Sequence, residues 1–248
     1  MKNRIMCHLV AGYPGMAASR EVYEAFAKGG AAYCEVQFPF SDPAADGPDI
    51  QNACSRALTA GFTVRDGFTL VEDCAKAFPS VPLFIMSYAS LLVRAGMEEF
   101  LRRAKNAGAS GIIVPDLPCD CDEGLYSAGE KTGLAVVPVT VTGMPAERLR
   151  RVLSLRPAYI YAALRSGITG SRTELGPENL AFLDSLKGGG AKILAGFGIS
   201  SREQVEALMP RAEAAVIGSH FVRIIEKNAN SPPAQLKAAL GRALAELV

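Results

Sequence analysis

The sequence predicts a single (β/α)8 barrel that spans residues 1–248. Eight short apolar segments alternate with amphipathic ones, and most of them are spaced by the length of one strand–helix unit. Eight such units fill a chain of this length, because barrels of this kind typically need about 250 residues. An open, doubly wound sheet is the alternative, but it usually has fewer strands.

The eight predicted strands have the near-continuous apolarity of strands that are buried on both faces of a parallel sheet. They are residues 5–11, 33–38, 83–88, 111–116, 135–140, 159–164, 192–198 and 214–219. The longest interval, between residues 38 and 83, leaves room for an extended loop after the second strand.

The amphipathic segments predict the helices. Residues 19–28 precede Gly29 and Gly30, and residues 97–105 end near Gly108, which is typical of a helix followed by a glycine. Ser200 and Glu203 have the spacing of a capping box and predict the start of another helix. Residues 232–248 predict a last amphipathic helix.

Composition excludes several classes of protein. The net charge is +1 and no run of Lys or Arg occurs, which argues against a nucleic-acid-binding scaffold. No apolar stretch approaches the roughly 20 residues that span a bilayer. The first residues lack the apolar core of a secretory signal, so we expect a soluble cytoplasmic protein.

The cysteines and histidines exclude two further classes. The six cysteines are scattered through the chain and several lie in apolar segments, so we expect reduced thiols. Cys119 and Cys121 lack further ligands nearby, and we expect no metal site. Of the two histidines, His8 and His220, neither lies beside a GxSxG serine, which argues against a Ser-His-Asp hydrolase.

Acidic residues mark the end of the second predicted strand. Active sites of such barrels lie at the carboxyl ends of the strands. Glu35 lies in an otherwise apolar segment, where burial favours a carboxyl group that both gives and takes protons. The alternative is a structural ion pair with Lys or Arg inside the barrel. The Pro-rich loop that follows carries Asp42 and Asp46, which can also serve in turns or helix caps.

Glycines mark the ends of the last three strands, at residues 166–170, 196–200 and 218–219. Glycine lets backbone N–H groups approach an anion closely, and the loops after the last two strands often bind phosphate in this fold. A single glycine pair would be explained by turn geometry alone. Three successive strand ends favour a phosphate site.

These segments resemble one family along nearly the whole chain. Residues 35–48, Glu-Val-Gln-Phe-Pro-Phe-Ser-Asp-Pro-Ala-Ala-Asp-Gly-Pro, resemble the signature of the tryptophan synthase α subunit. The similarity continues through residues 114–118, 165–170, 196–200 and 217–219. The Pro-Phe-Ser-Asp-Pro stretch is highly specific, whereas many phosphate-binding barrels share the glycine motifs.

The resemblance implies a carbon–carbon lyase that cleaves indole-3-glycerol phosphate into indole and glyceraldehyde 3-phosphate. It implies that Glu35 is the acid and base and that Asp46 meets the indole N–H. Tyr161 would line the pocket near Glu35. The phosphate would be surrounded by Thr169, Gly170, Gly198, Gly218 and Ser219. The family needs no metal or organic cofactor in this chain; its partner, the β subunit of an α2β2 tetramer, carries pyridoxal phosphate.

Several positions differ from the family pattern, among them Ser90, which replaces an asparagine. Gln37 replaces a glycine at the mouth of the site, where it would crowd or re-aim Glu35, and His8 replaces a pocket-lining aromatic residue. Gln37 and the short segment before the first strand keep a second hypothesis open, a catalytically weak barrel that activates a β subunit. The presence of both Glu35 and Asp46 argues against it. A third possibility is another phosphate-binding barrel, such as an isomerase of a phosphorylated sugar or aminosugar.

Overall fold

The computed structural model describes residues 4–164, 175–196 and 198–248, and within them it confirms the predicted barrel. Nine parallel strands form one sheet in the order β5-β4-β3-β2-β1-β9-β8-β7-β6. The strands are β1 Ile5–Val10, β2 Tyr33–Gln37, β3 Leu83–Met86, β4 Gly111–Ile113, β5 Ala135–Val137, β6 Val139–Val141, β7 Tyr159–Ala163, β8 Lys192–Gly196 and β9 Ala214–Ile217.

Strands β5 and β6 are the two halves of the predicted fifth strand. Pro138 separates them, because proline has no N–H to donate to a ladder. β5 pairs with β4, whereas β6 pairs with β7, and the Pro138 carbonyl accepts from the Tyr161 N–H at 3.0 Å. The predicted fifth strand thus still connects β4 to β7 in the sheet, although Pro138 divides it.

Each predicted strand begins at the predicted residue, but nearly all of them end one to three residues early. The sequence stays apolar past the ladder because the residues that follow are still buried. Ala11, Phe38 and Tyr88 have at most 1% of their surface exposed although they lie beyond their strands. The predicted last strand is also too long, since Ser219 opens a helix instead.

Helices cover the outside of the barrel. They are α1 Met16–Lys28, α2 Pro48–Thr59, α3 Val64–Ala77, α4 Ala89–Ala95, α5 Met97–Asn106, α6 Leu125–Thr132, α7 Ala146–Ser154, α8 Pro177–Leu186, α9 Arg202–Leu208, α10 Ser219–Lys227 and α11 Pro233–Glu246. α1 packs against α3 and α11. Within the described ranges, no helix is long and apolar enough to cross a bilayer.

Two helix predictions need correction. The long interval after β2 holds a loop at residues 38–47 and then both α2 and α3, so the loop takes up only part of it. The predicted capping box of Ser200 and Glu203 is wrong by one residue. Ser201 caps α9 by accepting from the Gln204 N–H, and the Gln204 carboxamide oxygen accepts in return from the Ser201 N–H. Both serines have a Glu or Gln three residues later, and the box forms at Ser201 and Gln204 because Ser201 is the residue directly before α9.

Aromatic side chains fill the amino-terminal half of the barrel interior. The Phe84 ring lies edge-on to both Tyr33 and Tyr159, with centroids 6.0 and 5.0 Å apart. A Cβ at Gly111 would lie 2.8 Å from Phe84, so glycine is needed there for close packing. Side chains therefore close the amino-terminal end of the barrel, and the open cavity lies towards the carboxyl ends of the strands.

Candidate active site

A cavity of about 540 Å³ opens at the carboxyl ends of the strands. Its wall includes six of the eight predicted site residues: Glu35, Asp46, Tyr161, Gly198, Gly218 and Ser219. The other two, Thr169 and Gly170, lie outside the described residues, as does the whole segment 165–174. The volume suits a small organic ligand.

Glu35 and His8 form a buried pair on the cavity wall. They are register partners on the adjacent parallel strands β2 and β1, so their side chains project from the same face of the sheet. The His8 Nδ1 lies 2.7 Å from the Glu35 Oε2, and both side chains are at most 5% exposed. The Glu35 carboxyl therefore has a histidine partner rather than the Lys or Arg of a structural ion pair.

Two hydrogen bonds hold the Asp46 carboxylate at the cavity wall. The Tyr88 hydroxyl and the Gln37 carboxamide N–H each donate to Asp46 Oδ2 at 2.7 Å. Burial raises the pKa of the Asp46 carboxyl, and these two hydrogen bonds act in the opposite direction. Asp46 is thus a desolvated acid in a fixed orientation.

The loop that carries Asp46 is anchored on Tyr88. The Ala45 N–H donates to the Tyr88 hydroxyl at 3.2 Å, and the Phe40 ring stacks on the Tyr88 ring with centroids 5.1 Å apart. Sequence reasoning missed Tyr88. Its position at the carboxyl end of a predicted strand was the available signal, since site residues collect there.

Gln37 acts on Asp46, whereas the sequence predicted an effect on Glu35. Its side chain is fully buried, and its carboxamide N–H lies 2.7 Å from Asp46 Oδ2 and 3.5 Å from the Cys54 sulfur. The Gln37 Oε1 is buried, and none of the described residues donates a hydrogen bond to it. Gln37, at the end of β2, is therefore hydrogen-bonded to the loop that carries Asp46.

Tyr161 on β7 faces the two acids across the cavity. A Cβ at Gly196 would lie 2.7 Å from the Tyr161 hydroxyl, so glycine on β8 makes room for the ring. Burial raises the pKa of the Tyr161 hydroxyl well above its usual range, and the negative charges of Glu35 and Asp46 raise it further. The hydroxyl therefore stays protonated and can only donate or accept hydrogen bonds.

The start of α10 forms another part of the cavity wall, beside the His8 ring. Gly218 precedes the helix, and Ser219 is its first residue. The first N–H groups of a helix have no carbonyl partner within it, and the helix dipole adds positive potential there. Gly198 contributes a left-handed residue with φ of 76° to the same wall. This wall has the chemistry that binds an anion.

A cation lies beside that helix start. Arg223, one turn into α10, lines the cavity and donates to the Asp49 carboxylate at 2.7 Å. Burial lowers the pKa of His220 on the same helix, and the Arg223 charge lowers it further.

Among the described residues, no three His, Cys, Asp or Glu side chains are grouped so that they could hold a metal ion.

Because the Asp46 carboxylate is desolvated, its replacement should change the thermal stability of the protein. We expect Asp46→Asn to raise Tm at pH 7, because the amide avoids the cost of a buried charge. Because folding raises the pKa of Asp46, the native carboxyl binds more protons than the unfolded one at pH values near and between the two pKa values. The stability of the wild type therefore rises as the pH falls through that range.

Calorimetry across pH checks that prediction. The advantage of Asp46→Asn should disappear below about pH 3.9, the ordinary value for an unfolded aspartate. Asp42→Asn is the control, because its carboxyl is exposed in the same loop. A Tm for Asp46→Asn below that of the wild type at pH 7 would contradict the prediction.

Comparisons with known proteins agree along most of the chain. Residues 1–245 match the family model for the tryptophan synthase alpha chain. The tryptophan synthase alpha chain of Helicobacter hepaticus is 35% identical over 232 residues, covering 91% of this chain and 87% of the relative. That of Desulfotalea psychrophila is 36% identical, covering 90% and 88%.

Solved structures give the same result. A crystal structure of the tryptophan synthase complex from Pyrococcus furiosus includes a chain with a TM-score of 0.88 and 29% identity to this one; the match covers 98% of this chain and 97% of that chain. A structure describing mutual activation of the tryptophan synthase α2β2 complex from the same organism gives a TM-score of 0.89 at 31% identity, with the same coverage.

Proposed function

Since this chain belongs to the tryptophan synthase alpha chain family, we propose that it cleaves indole-3-glycerol phosphate into indole and glyceraldehyde 3-phosphate. The observation that carries the proposal is the arrangement of one cavity: Glu35 and Asp46 line one side and the start of α10 lines another. Such a site can hold a phosphate at one end and move protons at the other.

Glu35 is the proposed acid and base of a retro-aldol cleavage. Its carboxyl protonates ring carbon 3, and positive charge then develops towards the ring nitrogen. The resulting carboxylate takes the proton of the glyceryl hydroxyl as the carbon–carbon bond breaks. The carboxyl is thereby restored, and the pair of electrons from the broken bond neutralises the ring. Acid–base help of this kind contributes roughly 10² to 10⁴ in rate.

Asp46 is the proposed partner of the indole N–H. The carboxylate stabilises the positive charge that develops on the ring nitrogen, because opposite charges attract strongly in a site that excludes water. Its orientation is fixed by Tyr88 and Gln37. Tyr161 lines the same cavity and would pack against the substrate near Glu35.

The phosphate of the substrate is proposed to bind at Gly198, Gly218 and Ser219, together with Thr169 and Gly170. The N–H groups at the start of α10 are the natural donors to it. No metal or organic cofactor takes part in this scheme, because protein carboxyl groups perform every proton transfer in it.

We also propose that the chain works with a β subunit that carries pyridoxal phosphate and consumes the indole, in an α2β2 tetramer. The solved complex from Pyrococcus furiosus supports this assembly. The loop at 39–48 lies on the catalytic face, where indole would leave towards a partner. Six free cysteines fit a location in the reducing cytoplasm.

Titration with a cognate β subunit tests the partnership. We expect the isolated chain to cleave slowly and the β subunit to accelerate it, because closing the loops of the site excludes water. Coupling between linked sites is typically about 5- to 150-fold in equilibrium terms. Full activity without partner, and no complex in sedimentation, would leave a stand-alone lyase.

The same titration tests the second candidate, a barrel that activates the β subunit while cleaving poorly itself. Its supporting observation is that both proposed acids already have hydrogen-bond partners, His8 for Glu35 and Gln37 for Asp46. Activation of the β reaction, without cleavage of indole-3-glycerol phosphate in the complex, would favour this candidate.

A further inference from the structure

We propose that His8 is a positioning residue for Glu35, and that it donates a hydrogen bond to the carboxylate form of Glu35 during the reaction. The proposal deepens the proposed function and rests on it for the role of Glu35. The hydrogen bond between His8 Nδ1 and Glu35 Oε2, 2.7 Å long and buried from solvent, is the observation behind it.

The geometry indicates which ring nitrogen carries the proton. His8 Nε2 is buried and has no hydrogen-bond partner within the described part of the chain. A buried N–H with no acceptor is rarer in proteins than a buried acceptor with no donor. We therefore assign the proton to Nδ1, which donates to Glu35, and the lone pair to Nε2.

The backbone holds the pair in place. His8 and Glu35 are paired in register on β1 and β2, near the middle of each strand. A Cβ at Gly218 would lie 3.6 Å from the His8 ring, so the start of α10 packs against its other side. With ring and carboxyl both fixed, Oε2 is engaged by His8 and Oε1 is the oxygen left to act on a substrate.

The surrounding charges make this hydrogen bond useful. The charged and titratable groups that line the cavity from the neighbouring elements are Glu35, Asp46, Asp49, Tyr161, His220 and Arg223. Asp46 is negative when it serves the ring nitrogen, so a second carboxylate forms nearby once Glu35 has given up its proton. A donor on Oε2 stabilises that second negative charge, and no Lys or Arg among the residues that the structure describes pairs with Glu35.

A pair of variants separates this role from packing. His8→Asn keeps an amide N–H near the position of Nδ1, whereas His8→Leu has a similar size and no donor. We expect His8→Leu to lower kcat by about 10- to 150-fold, the factor for a hydrogen bond to a charged group, with a smaller effect on KM. His8→Asn should retain most of the wild-type kcat.

The pH profile gives a readout that packing alone would not move. Because a donor favours the charged form of an acid and Glu35 must start as the carboxyl, His8→Leu should shift the alkaline limb of the kcat profile to higher pH, and His8→Asn should not. Equal kcat values and equal profiles for the wild type and His8→Leu would overturn the proposal. So would equal losses in both variants with unshifted profiles.

A measurement without substrate keeps this test separate from that of the proposed function. The chain has two histidines, so ¹⁵N NMR of the wild type and of His220→Gln assigns the His8 ring. We expect a protonated Nδ1 and a bare Nε2 in His8, and loss of the hydrogen-bonded Nδ1 proton signal in Glu35→Leu. The opposite tautomer would overturn the proposal even if cleavage activity were found. The expected tautomer in a chain that does not cleave would instead refute the proposed function.

Discussion

Replacing Glu35 with Gln should lower the turnover of indole-3-glycerol phosphate by at least about 10²-fold, because an amide cannot cycle a proton. Glutamine keeps the size of the side chain and can still accept from His8, so the fold and the cavity should survive. Steady-state kinetics of the purified variant measures the effect. Its KM should change much less than its kcat, since Glu35 is proposed to act on reacting atoms.

A matched control uses another carboxylate of the same fold. Asp49→Asn removes an acid from the cavity wall that pairs with Arg223, and it should cost far less turnover than Glu35→Gln. Near wild-type kcat in Glu35→Gln would show that Glu35 is not the acid and base.

Replacing Ser219 with Asp should raise KM by at least about tenfold, since the new carboxylate would lie at the helix start that is proposed to bind phosphate. Two unit charges 4 Å apart interact with about 4 kcal/mol at an effective dielectric constant of 20, so tenfold is a conservative expectation. The same Asp should not destabilise the fold, because acidic residues favour a helix amino terminus.

Ser219→Asn separates charge from size at the same position. It should raise KM much less than Ser219→Asp, and inorganic phosphate should inhibit both it and the wild type more strongly than the Asp variant. An unchanged KM in Ser219→Asp would remove this position from the phosphate site.

Sequence patterns predicted the barrel because burial on both faces leaves a clear trace in each strand. They located the first residue of every predicted strand, but not the break at Pro138 after which β6 begins. They failed at the carboxyl ends, where Phe38 and Tyr88 remain buried although the ladder has ended. Apolarity reports burial and not hydrogen bonding, so it cannot mark that boundary.

The side-chain contacts within the site join residues that are far apart along the chain, so no spacing between residues in the sequence predicts them. Glu35 and Asp46 were found from their own segment, and the structure places both on one cavity. The roles of their partners could not be read in this way. His8 and Tyr88 are distant from them along the chain and reach them through the parallel register of β1 to β3.

The most direct test is to quantify indole and glyceraldehyde 3-phosphate together after adding indole-3-glycerol phosphate to the purified chain in D₂O. If the Glu35 carboxyl splits the carbon–carbon bond, the two products form in equal amounts and the indole carries deuterium at carbon 3. Both should fall together in Glu35→Gln. Consumption of the substrate without indole, or equal rates of indole release by wild type and Glu35→Gln, would contradict the assigned chemistry.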